Sequence, residues 1–513
     1  MQKSKEENSN SWFNRFLTII EKMGNKIPDP MIFFSYICIV IVLSSYILSM
    51  AGFSAIHPST NKVITVYNLL SKDGILRMLT QATDNFIKFQ PLGLVLMAML
   101  GVGVCDKSGL FAATFKKMLS SNKTSDLKLI ALFIFMSVMA DMAGGTGFVV
   151  MPPLGAMLFS AMGRNPLVGA LAGYASVSGA FASNLLVTSM DVLNASFTAP
   201  AAKLVDPNFT VNPAMNWYFS ACSVLFLTVA AFYVTVKIVE PRLGVLKSDY
   251  VEHMPEVGEK ETNALKWALA TIIIFIGLIA IGTIPESGWL REPKTYSIIS
   301  AKAPLMESLT FLIGLLFFLP GAVYGIKSGN FKSSKDVVKA LGGAMSDMGS
   351  YIALIFMVAQ FINYFNWSNI GIIIAIKGAN WLKASGLPIE LVLVIFVAFC
   401  SFINLLIASA SSKWAIFSTI FVPMFMFLGY HPALVQMSYR IGDAITNPIT
   451  PGFAYFAMLL TLLQKYDKSI GIGTLMANML PYSISFFIFM IIQLLLWFTF
   501  NIPLGPGSPV RLG

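Results

Sequence analysis

SYRIGDAITNPITPG, residues 438–452, lies between two apolar runs, STIFVPMFMFLGYHPALVQM (418–437) and FAYFAMLLTLL (453–463). It places a cation (Arg440), an anion (Asp443), an amide (Asn447) and two helix breakers (Pro448 and Pro451) where a membrane helix would run. Charged groups inside a bilayer are costly and mark pathways for substrates or ions. Freed backbone at membrane depth is tolerated only where it is buried in protein or lines a polar cavity. The stretch therefore predicts a broken helix at a functional site.

The surroundings are those of an integral membrane protein. The chain has 513 residues, 56% hydrophobic and 12% charged, against about 25% charged in soluble domains, and its mean hydropathy is +0.73. The opening MQKSKEENSNSWFNRF is charged and the first apolar run, 31–50, is long enough to span, so no cleavable signal peptide is expected. The net charge of +10 is read as basic residues fixing topology, and nucleic acid is not expected as a partner. Cys38, Cys105, Cys222 and Cys400 lack metal-ligand spacing and read as packing residues without disulfides.

Single spans are expected at 31–52, 215–238, 265–284, 306–326 and 480–502, with shorter or interrupted ones near 91–105, 166–190, 349–365 and 432–463. Lys3, Lys5, Arg15, Lys22 and Lys26 put the N-terminus in the cytoplasm, and the basic stretches 106–128 and 327–339 follow it there. Residues 53–90 and 191–214 read as outside loops.

Two regions repeat one layout. LKLIALFIFMSVMA (127–140), DMAGGTG (141–147) and FVVMPPLGAMLFSAM (148–162) read as two short helices around a polar tip, a re-entrant hairpin. PIELVLVIFVAFCSFINLLI (388–407), ASASSK (408–413) and WAIFSTIFVPMFMFLG (414–429) repeat it. Each is followed by a broken helix: Gly163 and Pro166 match Gly429 and Pro432, and an Asn, Asn184 or Asn447, follows each break once a gap of about three residues is allowed. The charge-derived topology makes the two units an inverted repeat, the pattern that points to a secondary transporter's midplane site.

The expected architecture is an all-α polytopic membrane protein: about nine spans and two re-entrant helical hairpins in an inverted repeat with broken helices. Its divisions are a cytoplasmic segment (1–30), scaffold helices (31–126), a first core unit (127–190), scaffold helices and loops (191–387), a second core unit (388–463), and a last span and tail (464–513).

Arg440 and Asp443, three apart, share nearly one helical face; they either neutralise each other or serve transport. In the second case Arg440 offers a planar fork to a carboxylate, and Asp443 ligates Na+ or carries a proton. Asn184, Asn404 and Asn447 are helix caps or oxygen ligands for Na+. Asp141, Ser409, Ser411 and Ser412 at the hairpin tips belong to the same pool. Trp414 either stacks an aromatic ring or packs as an anchor. Lys413 snorkels or attracts anions, and Asp191 is a gate or coupling carboxylate or a solvated loop end. Na+ is favoured over H+ because asparagines cannot titrate; no other cofactor is expected. His57, His253 and His431 form no catalytic or zinc motif, and GVGVCDKSG (101–109) lacks phosphate-loop spacing, so enzyme and ATP-driven readings are set aside.

GNKIPDPMIFF (24–34), residues 147–186, ASASSKWAIFSTIFVPM (408–424) and RIGDAITNPITP (440–451) together resemble the p-aminobenzoyl-glutamate transporter (AbgT) family over nearly the whole chain. The resemblance implies nine membrane helices, two hairpins and a scaffold that makes a homodimer in the bacterial cytoplasmic membrane. It implies ion-driven transport of p-aminobenzoyl-glutamate, a folate fragment, or export of sulfonamide-type antimetabolites. It places Asp191, Ser411, Trp414, Pro432, Arg440, Asp443 and Pro451 around substrate, and Asn404 and Asp443 at a sodium site. A Na+-coupled di- or tricarboxylate carrier is the nearest rival, and an ion channel with re-entrant pore loops the rival from another class.

Overall fold

The computed structural model describes residues 30–512 except 59–60, 121–124, 144, 245–256, 299–302, 408 and 454. The segment expected to be cytoplasmic (1–30) falls outside the described residues up to position 29, as does His253.

The regular structure of the described residues is helical apart from one small antiparallel hairpin, β1 (Ser54–Ile56) with β2 (Val63–Thr65), paired Ser54 to Thr65, and two isolated bridges. Helix α1 (Pro30–Met50) precedes it; α2 (Lys72–Ile87), α3 (Gln90–Ser108) and α4 (Leu110–Ser120) follow. The first core unit is α5 (Asp126–Met139), a 3₁₀ turn at Ala140–Ala143, α6 (Gly145–Ala161) and α7 (Pro166–Gly179), which ends in a 3₁₀ turn at Ala180–Ala182. Next come α8 (Ser189–Ala202), α9 (Trp217–Val234, continued by a π-helical turn to Leu243), α10 (Glu259–Thr283), α11 (Leu309–Ser328), α12 (Ser334–Asp347), α13 (Gly349–Trp367) and α14 (Ile370–Ser385). The second unit is α15 (Ile389–Leu406), α16 (Ala410–Phe427) and α17 (Pro432–Thr446), with a 3₁₀ turn at Asn447–Ile449. The chain ends in α18 (Phe456–Tyr466) and α19 (Ile472–Thr499).

Eight described helices are long and apolar enough to cross a membrane, and the pair α12–α13, bent by 42°, adds a ninth. Two of the eight are α15 and α16, the arms of the second hairpin, so those arms are not half-length as their sequence suggested.

The repeat is visible in the backbone. Gly163 and Gly429 both adopt left-handed φ, +69° and +88°. Asn165 and His431 then cap their helices, accepting from the amides of Leu167 and Ala433 at 3.0 and 3.1 Å, with Pro166 and Pro432 in the first turn. Proline fits there because that amide has no helical partner. Each broken helix packs on both arms of its own hairpin: α7 on α5 and α6, α17 on α15 and α16. Close approach needs small residues, and at Gly155 and Gly169 the backbones of α6 and α7 leave no room for a Cβ.

Three expectations are corrected. Residues 53–90 are not a loop: α2 is an amphipathic helix packed on α13, and Arg77 lies 4.3 Å over the Trp367 ring. Nor is all of 191–214 loop: α8 runs to Ala202 and is buried from Asp191 to Thr198 between α3, α16 and α17. Finally, α14 was not anticipated; it packs on α16 and on β1.

Candidate functional site

The two broken helices meet at their breaks. α17 packs on the 3₁₀ turn that ends α7, and α7 packs on the 3₁₀ turn that ends α17. Asn447 fastens the second contact, donating to the Ser178 carbonyl at 3.4 Å.

At this junction α17 carries two buried charges that turn to different partners. Arg440 donates through Nη1 to Asp191 and through Nη2 to the Phe181 carbonyl at 2.8 Å. Asp443 pairs with Lys413 at 2.5 Å. Arg440 and Asp443 are therefore not each other's counter-ion. Three residues of helix leave their side chains about 60° apart around the axis, enough for one to reach α8 and the other α16. Both pairs are almost wholly buried, with side-chain exposures of 3% and 7% for Arg440 and Asp191 and 1% and 4% for Lys413 and Asp443. A buried charge that loses its partner is strongly destabilising, so the pairs hold α8, α16 and α17 together.

Asp191 is not a solvated loop end. It belongs to a capping box in which its Oδ2 accepts from the Thr188 amide at 2.7 Å, leaving Oδ1 for Arg440. The fork of Arg440 is thus occupied by protein acceptors, while its Nε finds no partner among the described residues. Lys413 neither snorkels nor faces open water; its Nζ meets Asn404 Oδ1 as well as Asp443. Asn404 Nδ2 turns the other way, to the Asp443 carbonyl at 2.7 Å, Asn447 Oδ1 at 2.8 Å and Thr446 Oγ1 at 2.9 Å. Gly442 makes this possible, since a Cβ there would lie 2.6 Å from Cys400 Cβ and 2.6 Å from the Val397 carbonyl of α15.

Asn404, Asn447 and Asp443 are brought together; Asn184 is not with them. Its Oδ1 accepts from the Leu186 amide at 3.1 Å and its Nδ2 donates to the Met139 carbonyl at 3.4 Å, a turn residue beside the first hairpin. Asp141, also in the first hairpin, is buried, and its Oδ2 has no hydrogen bond among the described residues. At the second tip Ser409 caps α16 and bonds Ser412 Oγ at 2.8 Å and Ser411 Oγ at 3.4 Å.

Trp414 is fully buried, and one face of its indole is covered by Tyr439, stacked at 4.6 Å. Its Nε1 donates to the Asn194 carbonyl at 3.1 Å and Thr198 Oγ1 at 3.0 Å. Tyr439 of α17 stacks on the indole, and the Nε1 bonds tie α16 to α8. Tyr439 was missed; it reads as one more apolar helix residue, yet its hydroxyl donates to the Ala410 carbonyl at the tip at 2.6 Å. Pro432 starts α17 and lies roughly 12 Å along the axis from Arg440, while Pro451 follows the break. The four cysteines are free, and among the described residues no cluster of three or more His, Cys, Asp or Glu is placed to hold a metal ion.

Duplicated hairpins, broken helices meeting at their breaks and paired buried charges at that junction define a membrane transporter built on an internal repeat. The chain belongs to the AbgT putative transporter family, whose model matches residues 15–512. It is 36% identical over 493 residues to the p-aminobenzoyl-glutamate transport protein of Escherichia coli (strain K12), covering 96% of each chain. Among solved structures it is similar to the Alcanivorax borkumensis YdaH transporter, described as having an unusual topology, with a TM-score of 0.88, 36% identity, and 93% of this chain and 100% of that one covered. It is similar also to Neisseria gonorrhoeae MtrF, described within a class of antimetabolite efflux pumps, with a TM-score of 0.90, 38% identity, and 96% and 100% covered. The chain is a multi-pass membrane transporter and not an enzyme.

Proposed function

We propose that this protein moves p-aminobenzoyl-glutamate, sulfonamide-type antimetabolites, or both, across the bacterial cytoplasmic membrane, driven by a gradient of Na+ or H+. On this reading it works as a homodimer with its N-terminus in the cytoplasm and bears on folate metabolism. The observation that carries it is the Arg440–Asp191 pair at the junction of the two breaks, in a chain that matches the E. coli p-aminobenzoyl-glutamate transport protein over 96% of its length. A substrate carboxylate binds by taking Arg440 from Asp191: one acceptor replaces another, so the guanidinium never stands uncompensated in a low-dielectric site. Ser411 at the hairpin tip contacts substrate in this scheme. Trp414, Pro432 and Pro451 shape the site by fixing α16 and the two ends of the broken helix. Asp443, with Asn404 and Asn447, is the coupling locus.

The test is reconstitution into liposomes with labelled p-aminobenzoyl-glutamate under separately imposed Na+ and H+ gradients. Saturable uptake or efflux that follows one gradient is expected. Flux of succinate without flux of p-aminobenzoyl-glutamate would replace the substrate, and flux that neither saturates nor couples would replace the transporter by a channel.

A further inference from the structure

Asn404 Oδ1 and the Asp443 carboxylate together have the chemistry of a site for a small hard cation: an amide oxygen beside a single negative charge. A cation is already among them. Lys413 Nζ touches Asn404 Oδ1 and Asp443 Oδ1, and three different helices, α15, α16 and α17, contribute one group each. The orientation of the Asn404 amide follows from its surroundings. Its Nδ2 side faces the Asp443 carbonyl, Thr446 Oγ1 and Asn447 Oδ1. Turning the amide over would set its oxygen against these acceptors and its NH2 against an ammonium. The oxygen therefore belongs to the cation.

Lys413 is also an unusual lysine. Long basic side chains near helix ends in a membrane protein ordinarily carry the charge out to the interface. This one starts in the first turn of α16, at the hairpin tip, and sends its head inward, where it is 1% exposed. One carboxylate, Asp443, balances one monovalent cation. Two monovalent cations on the same oxygens would leave a net positive charge in a low-dielectric site.

We propose that this is a monovalent-cation site whose present occupant is tethered: Na+ and the Lys413 ammonium compete for Asn404 and Asp443, and Na+ enters only when the lysine head withdraws. The idea rests on the coupling locus proposed above and gives it a built-in competitor. By reciprocity, whatever draws Lys413 away tightens Na+ binding, and Na+ in turn favours that ligand by the same factor.

The experiment uses the full-length protein in detergent, with binding of radioactive Na+ and the melting temperature measured in NaCl against choline chloride at constant ionic strength. Lys413→Met keeps the stem and removes the charge; it should bind Na+ at least tenfold more tightly than the parent and melt higher in Na+ than in choline. Lys413→Gln, which keeps a hydrogen-bonding head, should do the same and decides the matter if the Met variant does not fold. Lys413→Arg should bind Na+ no better than the parent, and adding Asp443→Asn to Lys413→Met should abolish the gain. Folded Met or Gln protein with the parent's Na+ affinity overturns the competition. That result is separable from failure of the proposed substrate, because liposome flux of p-aminobenzoyl-glutamate is read independently of Na+ binding in detergent.

Discussion

Gly163, Asn165 and Pro166 turn the chain into α7, and Gly429, His431 and Pro432 turn it into α17 by the same device. From there the side chains diverge. Lys413 is the fourth residue of α16, and the fourth residue of α6 is Phe148, stacked on Tyr455 at 4.5 Å and edge-on to Tyr174 at 5.8 Å. Arg440 is the ninth residue of α17, and the ninth of α7 is Tyr174; Asp443 is the twelfth, opposite Val177. Where the second half carries ions, the first carries an aromatic cluster. The repeat has kept the turns and the packing, while charge is concentrated in one half and completed by Asp191 from α8. Buried ions repay their desolvation only when every one is paired, and a single substrate anion needs only one such set.

The largest effect that tests this asymmetry is at Arg440. Arg440→Ala leaves Asp191 buried without its partner, which should cost about 3–5 kcal/mol of stability and abolish uptake. Arg440→Lys should retain the pair but weaken substrate binding, because an ammonium cannot match the two oxygens of a carboxylate with the planar fork of a guanidinium. At the matching position, Tyr174→Phe removes a hydroxyl that has no hydrogen-bond partner among the described residues, and should be close to neutral. Thermal unfolding in detergent and uptake at matched expression check both. Full uptake by the Arg440→Ala protein would mean that the charged half is not the working half.

A smaller effect is expected from Gly442→Ala. A Cβ at Gly442 meets Cys400 and the Val397 carbonyl, so α15 must move off α17, at about 1–3 kcal/mol for overpacking. The shift separates Asn404 from Asp443 and should lower the Na+ affinity of the Lys413→Met protein as well as the melting temperature. The first half carries Ser176 at the same place in its helix, so Ser176→Ala should change little. If Gly442→Ala melts and binds as its background does, the close approach is not what builds the site.

What the sequence disclosed follows from how local each signal is. The turns, the hairpins and the two breaks were legible because Gly, Pro and capping residues act within a few positions. The meeting of Asn404, Asp443 and Asn447 was legible because all three flank breaks in one repeat unit. The partners of the charges were not. Arg440 and Asp443 look like a pair at helical spacing, but packing turns α17 so that each finds a residue far away in sequence, Asp191 or Lys413. Tyr439 went unassigned, and Lys413 reads as a snorkelling or anion-attracting residue, because an aromatic or basic residue near a hairpin gives no sign of which way it points. The helix α14 was hidden by its own polar residues, Lys377, Asn380 and Lys383; Lys377 lies 3.8 Å over the Phe53 ring. The three-residue gap between the repeats misled in its own way. Asn447 opens the 3₁₀ turn, where the first half has Ala180, so Asn184, which lies beyond its break, is not its counterpart.

That last difference carries the smallest prediction. Asn184 Oδ1 is held by the Leu186 amide and its Nδ2 by the Met139 carbonyl, with no cationic donor among its hydrogen bonds in the described residues. Asn184→Ala therefore loses a turn-forming bond, worth about 0.5–1.5 kcal/mol, and should leave Na+ binding by the Lys413→Met protein as it was. Asn404→Ala, in the same background, should remove most of that binding, since the same amide both faces the cation and holds the Asp443 backbone. Melting curves in NaCl and choline chloride for the two double variants make the comparison directly. A Na+ response flattened by Asn184→Ala would give the first half a cation site of its own, with the buried Asp141 as its carboxylate, and would make the two halves chemically alike.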